Sequence, residues 1–166
     1  MISLEGKVAL VTGASRGIGA AVAHSLASHG VRLALASRSG DDLGIEDAVA
    51  APCDVRRPDD LESLAAGTAE RFGGIDILVA NAGVGAYGPF LDLPTDQLEE
   101  MIDVNVKGTL YAVRATLPYL LTLASSGVET AVRADVGLAK GVNLSQGKVT
   151  CRGVAEAHGL RFDPLM

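Results

Sequence analysis

The sequence predicts an α/β protein: a doubly wound parallel sheet, truncated to about four strands, followed by a mostly helical C-terminal tail. Three observations carry that expectation. Short apolar runs alternate with amphipathic stretches of helical period through residue 124. A glycine-rich turn joins the first apolar run directly to the first helix. Beyond residue 124 the alternation weakens and no buried strand can be read. Strands that alternate with helices pair in parallel, and the helices cover both faces of the sheet.

Taken in order, "KVALVTG" (7–13) is a short apolar strand ending in glycine. "RGIGAAVAHSLASHG" (16–30) has apolar positions at helical spacing and stops at Gly30. "VRLALAS" (31–37) and "DAVAAPCDV" (47–55) read as the second and third strands. "PDDLESLAAGTAERFGG" (58–74) opens with proline and acids and closes on glycines, the asymmetry of a helix. "IDILVANAG" (75–83) is a fourth strand running into a turn. Residues 95–124 read as one long helical stretch, with Thr95 as N-cap and a bend at Pro118. Short helical pieces are expected near 127–139 and 151–158.

The bulk properties exclude several classes. With 166 residues and 48% hydrophobic content, the chain can bury a core and is not compositionally disordered. A formal net charge of -6 argues against nucleic acid as a partner. No apolar run reaches membrane-spanning length, and the N-terminus lacks the pattern of a secretory signal, so a cytoplasmic protein is expected. Cys53 and Cys151 have no metal-ligand spacing, and Cys53 reads as a small core residue. Residues 1–114 carry 9 Lys and Arg against 16 Asp and Glu, whereas 115–166 carry 5 against 4, a shift that suggests a boundary.

"TGASRGIG" (12–19) carries the first chemistry. Gly13 permits a tight exit from the strand, Gly17 lets backbone approach a pyrophosphate, and Gly19 lets the helix pack on the sheet. The helix N-terminus then offers free N–H groups and the positive end of its dipole to phosphates. Strand before and helix after make this a Rossmann-like dinucleotide-binding turn. At the end of the second strand an acid would bind a free ribose 2'-hydroxyl, and a base would accommodate a 2'-phosphate. This chain has Ser37 and Arg38 there, with Arg16 in the glycine turn, which favours NADP(H) over NAD(H). The competing reading makes Arg38 a solvated surface charge, and Asp41 and Asp42 lie just beyond it.

Four motifs in this order, "TGASRGIG", "CDV" (53–55), "NAG" (81–83) and "VNVKG" (104–108), resemble the short-chain dehydrogenase/reductases over about residues 5–120. The resemblance implies hydride transfer between a nicotinamide and a carbonyl or alcohol carbon. It implies a cofactor site of Gly13, Ser15, Arg16, Gly17, Ile18, Gly19, Arg38, Asp54, Val55, Asn81, Ala82 and Gly83. Within it Asp54 would contact the adenine, and Asn81 to Gly83 would line the cofactor and brace the sheet. Asn105 would be the catalytic asparagine, holding a main-chain kink and a water that relays protons; a helix-kink role alone would look the same.

The family's acid–base machinery is not found. It needs a tyrosine whose pKa is lowered by a lysine four positions on, with a serine orienting the substrate. Tyr87, Tyr111 and Tyr119 are followed at that spacing by Leu91, Ala115 and Leu123. "LASSG" (123–127) only echoes the serine's surroundings, and the Ser145-x-x-Lys148 spacing stands without the rest of a nucleophilic-serine motif.

From about residue 115, "ATLPYLL", "LAKGVNL", "GKVT" and "VAEAHGL" are similar to the C-terminal tail of alanine dehydrogenases. That tail carries no catalytic residue, and His158 reads as structural, ahead of a C-cap glycine. The domain reading is therefore 1–120, an NAD(P)-binding half, and 121–166, a helical tail; the alternative is one short-chain dehydrogenase with a divergent C-terminal half. Three functions compete: an NADP(H)-dependent oxidoreductase with little turnover, a non-catalytic dinucleotide-binding module, and a structural product of two joined pieces. A homo-oligomer is expected from the apolar edge that later strands would occupy.

Overall fold

In the computed structural model, residues 4–124, 134–135 and 148–149 are described, with side chains through Leu120. The chain enters the sheet at β1 (Val8–Thr12), crosses through α1 (Gly17–Ser28) to β2 (Arg32–Ser37), and continues to β3 (Val49–Pro52). Helix α2 (Pro58–Phe72) then carries it back past β1 to β4 (Ile77–Val79). The sheet order is β3-β2-β1-β4, with every pair parallel; Leu10 is in register with Ala34 on one side and Leu78 on the other. The chain winds outward from β1 in one direction and then in the other, so a crevice opens at the carboxyl ends of β1 and β4.

Alternation along the strands builds two cores. Ala9, Val11, Leu33 and Leu35 point to one face and pack with Ala23 of α1. Leu10, Ala34 and Ala36 point to the other, where Leu61, Leu64 and Ala65 of α2 meet Ala112, Ala115 and Leu120 of the last long helix. Successive side chains of a strand face opposite ways, so strands covered on both sides read as unbroken apolar runs. The sheet is thus doubly wound.

The helix ends follow their sequence signals. Pro58 sits in the first turn of α2 with Asp59 and Asp60, and Gly73 closes it in the left-handed conformation at φ 88°. Lys7 and the Val8 amide both donate to Asp76, at 2.7 and 2.8 Å, which pins the start of β1 beside β4.

One expectation needs correction and another is refined. The stretch 95–124 is helical throughout, as expected, but it is not α-helical throughout. It is α3 (Thr95–Met101), a π-helical segment (Ile102–Lys107) and α4 (Gly108–Ala124). The segment breaks the α-pattern where Asn105 turns its side chain to the loop after β4, a tertiary contact that periodicity does not register. Thr95 is not the cap: Pro94 holds that position without a side-chain bond, and its carbonyl accepts from Gln97 and Leu98. Pro118 lies inside α4, which runs on to Ala124.

Within 75–83 the strand is Ile77–Val79, and the expected turn follows it. The Asn81 and Ala82 amides leave the ladder and donate to the Thr12 hydroxyl, each at 3.0 Å. Within the expected helical piece 127–139, Ala134–Asp135 is a two-residue strand, β5, antiparallel to Lys148–Val149, β6. The piece at 151–158, Cys151, Ser145 and His158 lie outside the described residues.

Candidate functional site

At the carboxyl ends of β1, β2, β3 and β4 lies a cavity of about 420 Å³. That is within the usual size of small-molecule sites, about 300–1,000 Å³. Eleven of the twelve residues expected to bind a cofactor line it: Gly13, Ser15, Arg16, Gly17, Ile18, Arg38, Asp54, Val55, Asn81, Ala82 and Gly83. The twelfth, Gly19, lies beneath the wall.

The three glycines of the first turn do different jobs. A Cβ at Gly19 would lie 2.3 Å from the Gly13 carbonyl oxygen and 2.5 Å from Asn81 Nδ2, so α1 can approach the sheet only without one. A Cβ at Gly13 would lie 2.7 Å from Ala82 Cα, and the residue has φ +65°. Gly17, at φ +59°, differs: a Cβ there would meet no described atom within 4 Å. The space above Gly17 is open and belongs to the cavity.

Helix α1 starts here with its donors exposed. Its N-cap residue, Arg16, makes no side-chain capping bond, and the first turn holds no acid. Ala20 N–H bonds back to the Arg16 carbonyl at 3.4 Å, which leaves the earlier amides without a helical partner. Ile18 presents its side chain to solvent, 76% exposed. Uncapped amides, the positive end of a 12-residue helix and a glycine with open space above it form a cradle for an anion. The residues present therefore fit the pyrophosphate of a dinucleotide.

The opposite wall is built by side chains. Arg38 is exposed at the tip of β2 and makes no hydrogen bond or ion pair among the described residues. Asp41 and Asp42 do not compete for this position. Their carboxylates accept the amides of Leu43 and Gly44, two residues on, in turns of their own. Asp54 follows β3, and its carboxylate is held by Arg56. That hydrogen bonding, with further help from Arg38, holds the Asp54 carboxyl below the usual aspartate value. Burial, aided by Asp60 and Asp54, pushes the neighbouring Cys53 thiol up to about 11, which favours its neutral form, and the residue packs in the core.

Asn81 and Asn105 brace the floor. Asn81 Nδ2 donates to the carbonyls of Thr12 and Gly13, at 3.1 and 3.3 Å, tying the exit of β4 to that of β1. Asn105 is 3% exposed and does not line the cavity; its neighbour Val104 does. Its Nδ2 donates to the Val84 carbonyl and its Oδ1 accepts the Val84 amide, each at 2.9 Å. The Asn105 carbonyl accepts from the Thr109 hydroxyl at 2.8 Å.

Sequence reasoning did not single out four residues of this region. Arg56, Val84 and Glu100 line the cavity. Gly108 lets α4 close on the β3 exit, since a Cβ there would lie 2.7 Å from Val55 Cγ2. The glycine that ends "VNVKG" was the available signal for the last; Arg56 and Glu100 had none beyond their charge.

The sequence profile of the short chain dehydrogenases matches residues 7–145. The chain belongs to the short-chain dehydrogenase family. Family members are NAD(P)-binding oxidoreductases. An uncharacterized oxidoreductase of Staphylococcus saprophyticus is 40% identical over 138 residues, which cover 77% of this chain and 59% of that protein. The chain therefore spans about three-fifths of the length of this curated relative.

Solved structures agree with the fold. A Burkholderia cenocepacia short chain dehydrogenase in complex with NADP aligns over 72% of this chain and 53% of its own, at 38% identity and TM-score 0.66. The Brucella melitensis 3-ketoacyl-(acyl-carrier-protein) reductase, complexed with NADH, aligns over 77% and 56%, at 29% identity and TM-score 0.72. The family match runs to residue 145, past residue 120, where the resemblance was expected to end. Among the described residues no helix is long and apolar enough to cross a membrane, and no group of side chains could hold a metal ion.

Proposed function

We propose that this chain binds NADP(H) in the cavity and belongs functionally to hydride-transferring oxidoreductases, with little turnover of its own. The observation that carries the reading is the glycine turn: uncapped amides at the start of α1 beside the open space above Gly17. In this reading Gly13, Ser15, Arg16, Gly17, Ile18 and Gly19 form or support the pyrophosphate cradle. Arg38, helped by Arg16, takes the 2'-phosphate, because a guanidinium pairs with a phosphate in a planar fork. Asp54 and Val55 meet the adenine, and Asn81, Ala82 and Gly83 line the nicotinamide half.

The nicotinamide supplies or accepts the hydride when bound. The protein's part is to orient it, exclude water and handle the substrate proton. Asn105 supports that last task by holding the π-helical segment against Val84. The proton donor itself is the missing element, since none of Tyr87, Tyr111 and Tyr119 has a lysine four positions on. A positioned acid–base group contributes about 10²–10⁴-fold in rate. NADPH-driven carbonyl reduction that disappears in Asn105→Ala would overturn the low-turnover reading.

The second reading, a non-catalytic dinucleotide-binding module, is favoured by the same missing pair. Both readings treat residues 1–120 as the cofactor half and 121–166 as a separate tail, with its likeness to alanine dehydrogenases marking the join. Both expect self-association along the sheet edge and a cytoplasmic setting.

A thermal melt tests the shared premise. NADPH at a hundred times its Kd should stabilise the chain by about 2.7 kcal/mol. It should raise the midpoint more than NADH does, and Arg38→Ser should erase the difference. A cooperative melt that neither nucleotide moves would remove the dinucleotide reading.

A further inference from the structure

Arg56 occupies the carboxylate expected to recognise the cofactor's base. Asp54 Oδ1 accepts the Arg56 amide at 3.0 Å and Arg56 Nε at 2.9 Å. Asp54 Oδ2 accepts Nε at 3.0 Å and also Nη2. The carboxylate offers about four acceptor positions in its plane, and Arg56 brings three hydrogens to them, the Nε hydrogen being shared between the two oxygens. These bonds fall into two kinds. The amide bond belongs to the backbone turn and fixes the carboxylate in place. The side-chain bonds belong to a guanidinium that is 41% exposed and lines the same cavity. That guanidinium has a second anion in reach: Glu100 Oε1, on α3, lies 4.0 Å from Nη1.

We propose that Arg56 is a specificity-determining latch on the base subsite: its fork weakens Asp54 as an acceptor for the 6-amino group of a purine, and turning to Glu100 releases the carboxylate. The inference rests on the reading of the cavity as a dinucleotide site. An amino group arriving at Asp54 meets a carboxylate whose charge is already shared with a guanidinium in a charge-assisted fork. The wild-type chain therefore gains little from that group and discriminates weakly between bases. Glu100 lowers the cost of release by giving the guanidinium another partner.

The test compares NADPH with its hypoxanthine analogue, in which a 6-oxo acceptor stands where the amino donor was. Binding of each to the full chain is followed by the emission of the reduced nicotinamide. Wild type should prefer NADPH by less than about threefold. Arg56→Lys keeps the cation and removes the fork, and Arg56→Gln removes both. In each the preference should widen to about tenfold, the worth of a hydrogen bond to a charged group. Asp54→Asn should return it to near unity in any background. Glu100→Gln should weaken NADPH by less than about threefold, in line with an exposed ion pair, bring the preference toward unity and leave the analogue unchanged. An unaltered preference in both Arg56 variants, with binding intact, would overturn the latch and leave the dinucleotide site standing. Failure of every variant and of wild type to bind either nucleotide would overturn both.

Discussion

The exits of β1 and β3 build opposite ends of one cavity by different means. At the β1 exit the groups that face the cavity are backbone amides, and the turn is fixed by contacts that admit no Cβ at Gly13 or Gly19. At the β3 exit they are the side chains of Asp54 and Arg56, partly exposed and bonded to each other. The first end has no room for a side chain at Gly13 or Gly19. The second is built from charged side chains, so its chemistry changes with a single residue. In the proposed dinucleotide site that division would set backbone against the constant pyrophosphate and side chains against the base. Backbone holds the invariant part, where ordering is already complete, and side chains select.

The contrast within the glycine turn should be the easiest to break. Gly19→Ala forces a methyl group against the Gly13 carbonyl and Asn81. It should destabilise the fold by about 3 kcal/mol, as overpacking does, and chemical denaturation measures it. Asn105→Ala strips both partners from the Val84 backbone. Lost hydrogen bonds of this kind cost about 2 kcal/mol in total, and the same titration should place it below Gly19→Ala. Gly17→Ala meets no described neighbour, so its cost is the left-handed backbone alone, about 1–2 kcal/mol. Its larger effect should be on binding: the melt should lose most of its response to NADPH. Equal loss of binding and stability in Gly17→Ala would mean that the open space above it is not the ligand's.

The smallest effect sharpens the other end. Asp54 is held below its ordinary pKa of 3.8 by Arg56. A carboxyl with a lowered folded pKa stabilises the fold above the unfolded value, and loses that contribution as pH falls through the folded value. Stability measured between pH 7 and pH 2 should therefore fall less below pH 4 in Asp54→Asn than in wild type. Parallel acid limbs for the two proteins would show that the Asp54–Arg56 pair adds nothing to the fold.

The parts of the molecule that were legible in the sequence are those whose causes are local. Glycines 13, 17 and 19, the proline and acids that open α2, and the apolar strand runs each act within a few residues. The missed parts have distant causes. Nothing in 95–124 announces a π-helical segment, because its reason is a side chain on one element bonding the backbone of another. The point at which the fourth strand gives way to its turn has a similar cause: Thr12 takes the Asn81 and Ala82 amides. Arg56 was passed over as one more surface cation, since its meaning depends on Asp54 folding back two residues and on Glu100 arriving from α3.

The Val84 amide offers a consequence of its own. It lies in a loop, outside every ladder of the sheet, yet its hydrogen is given to the buried Asn105 side chain. In deuterated solvent this loop amide should trade its hydrogen as slowly as a strand amide. It would do so only while the π-helical segment stays docked, so one slow resonance in a fast-exchanging loop would clock the helix lifting from the sheet.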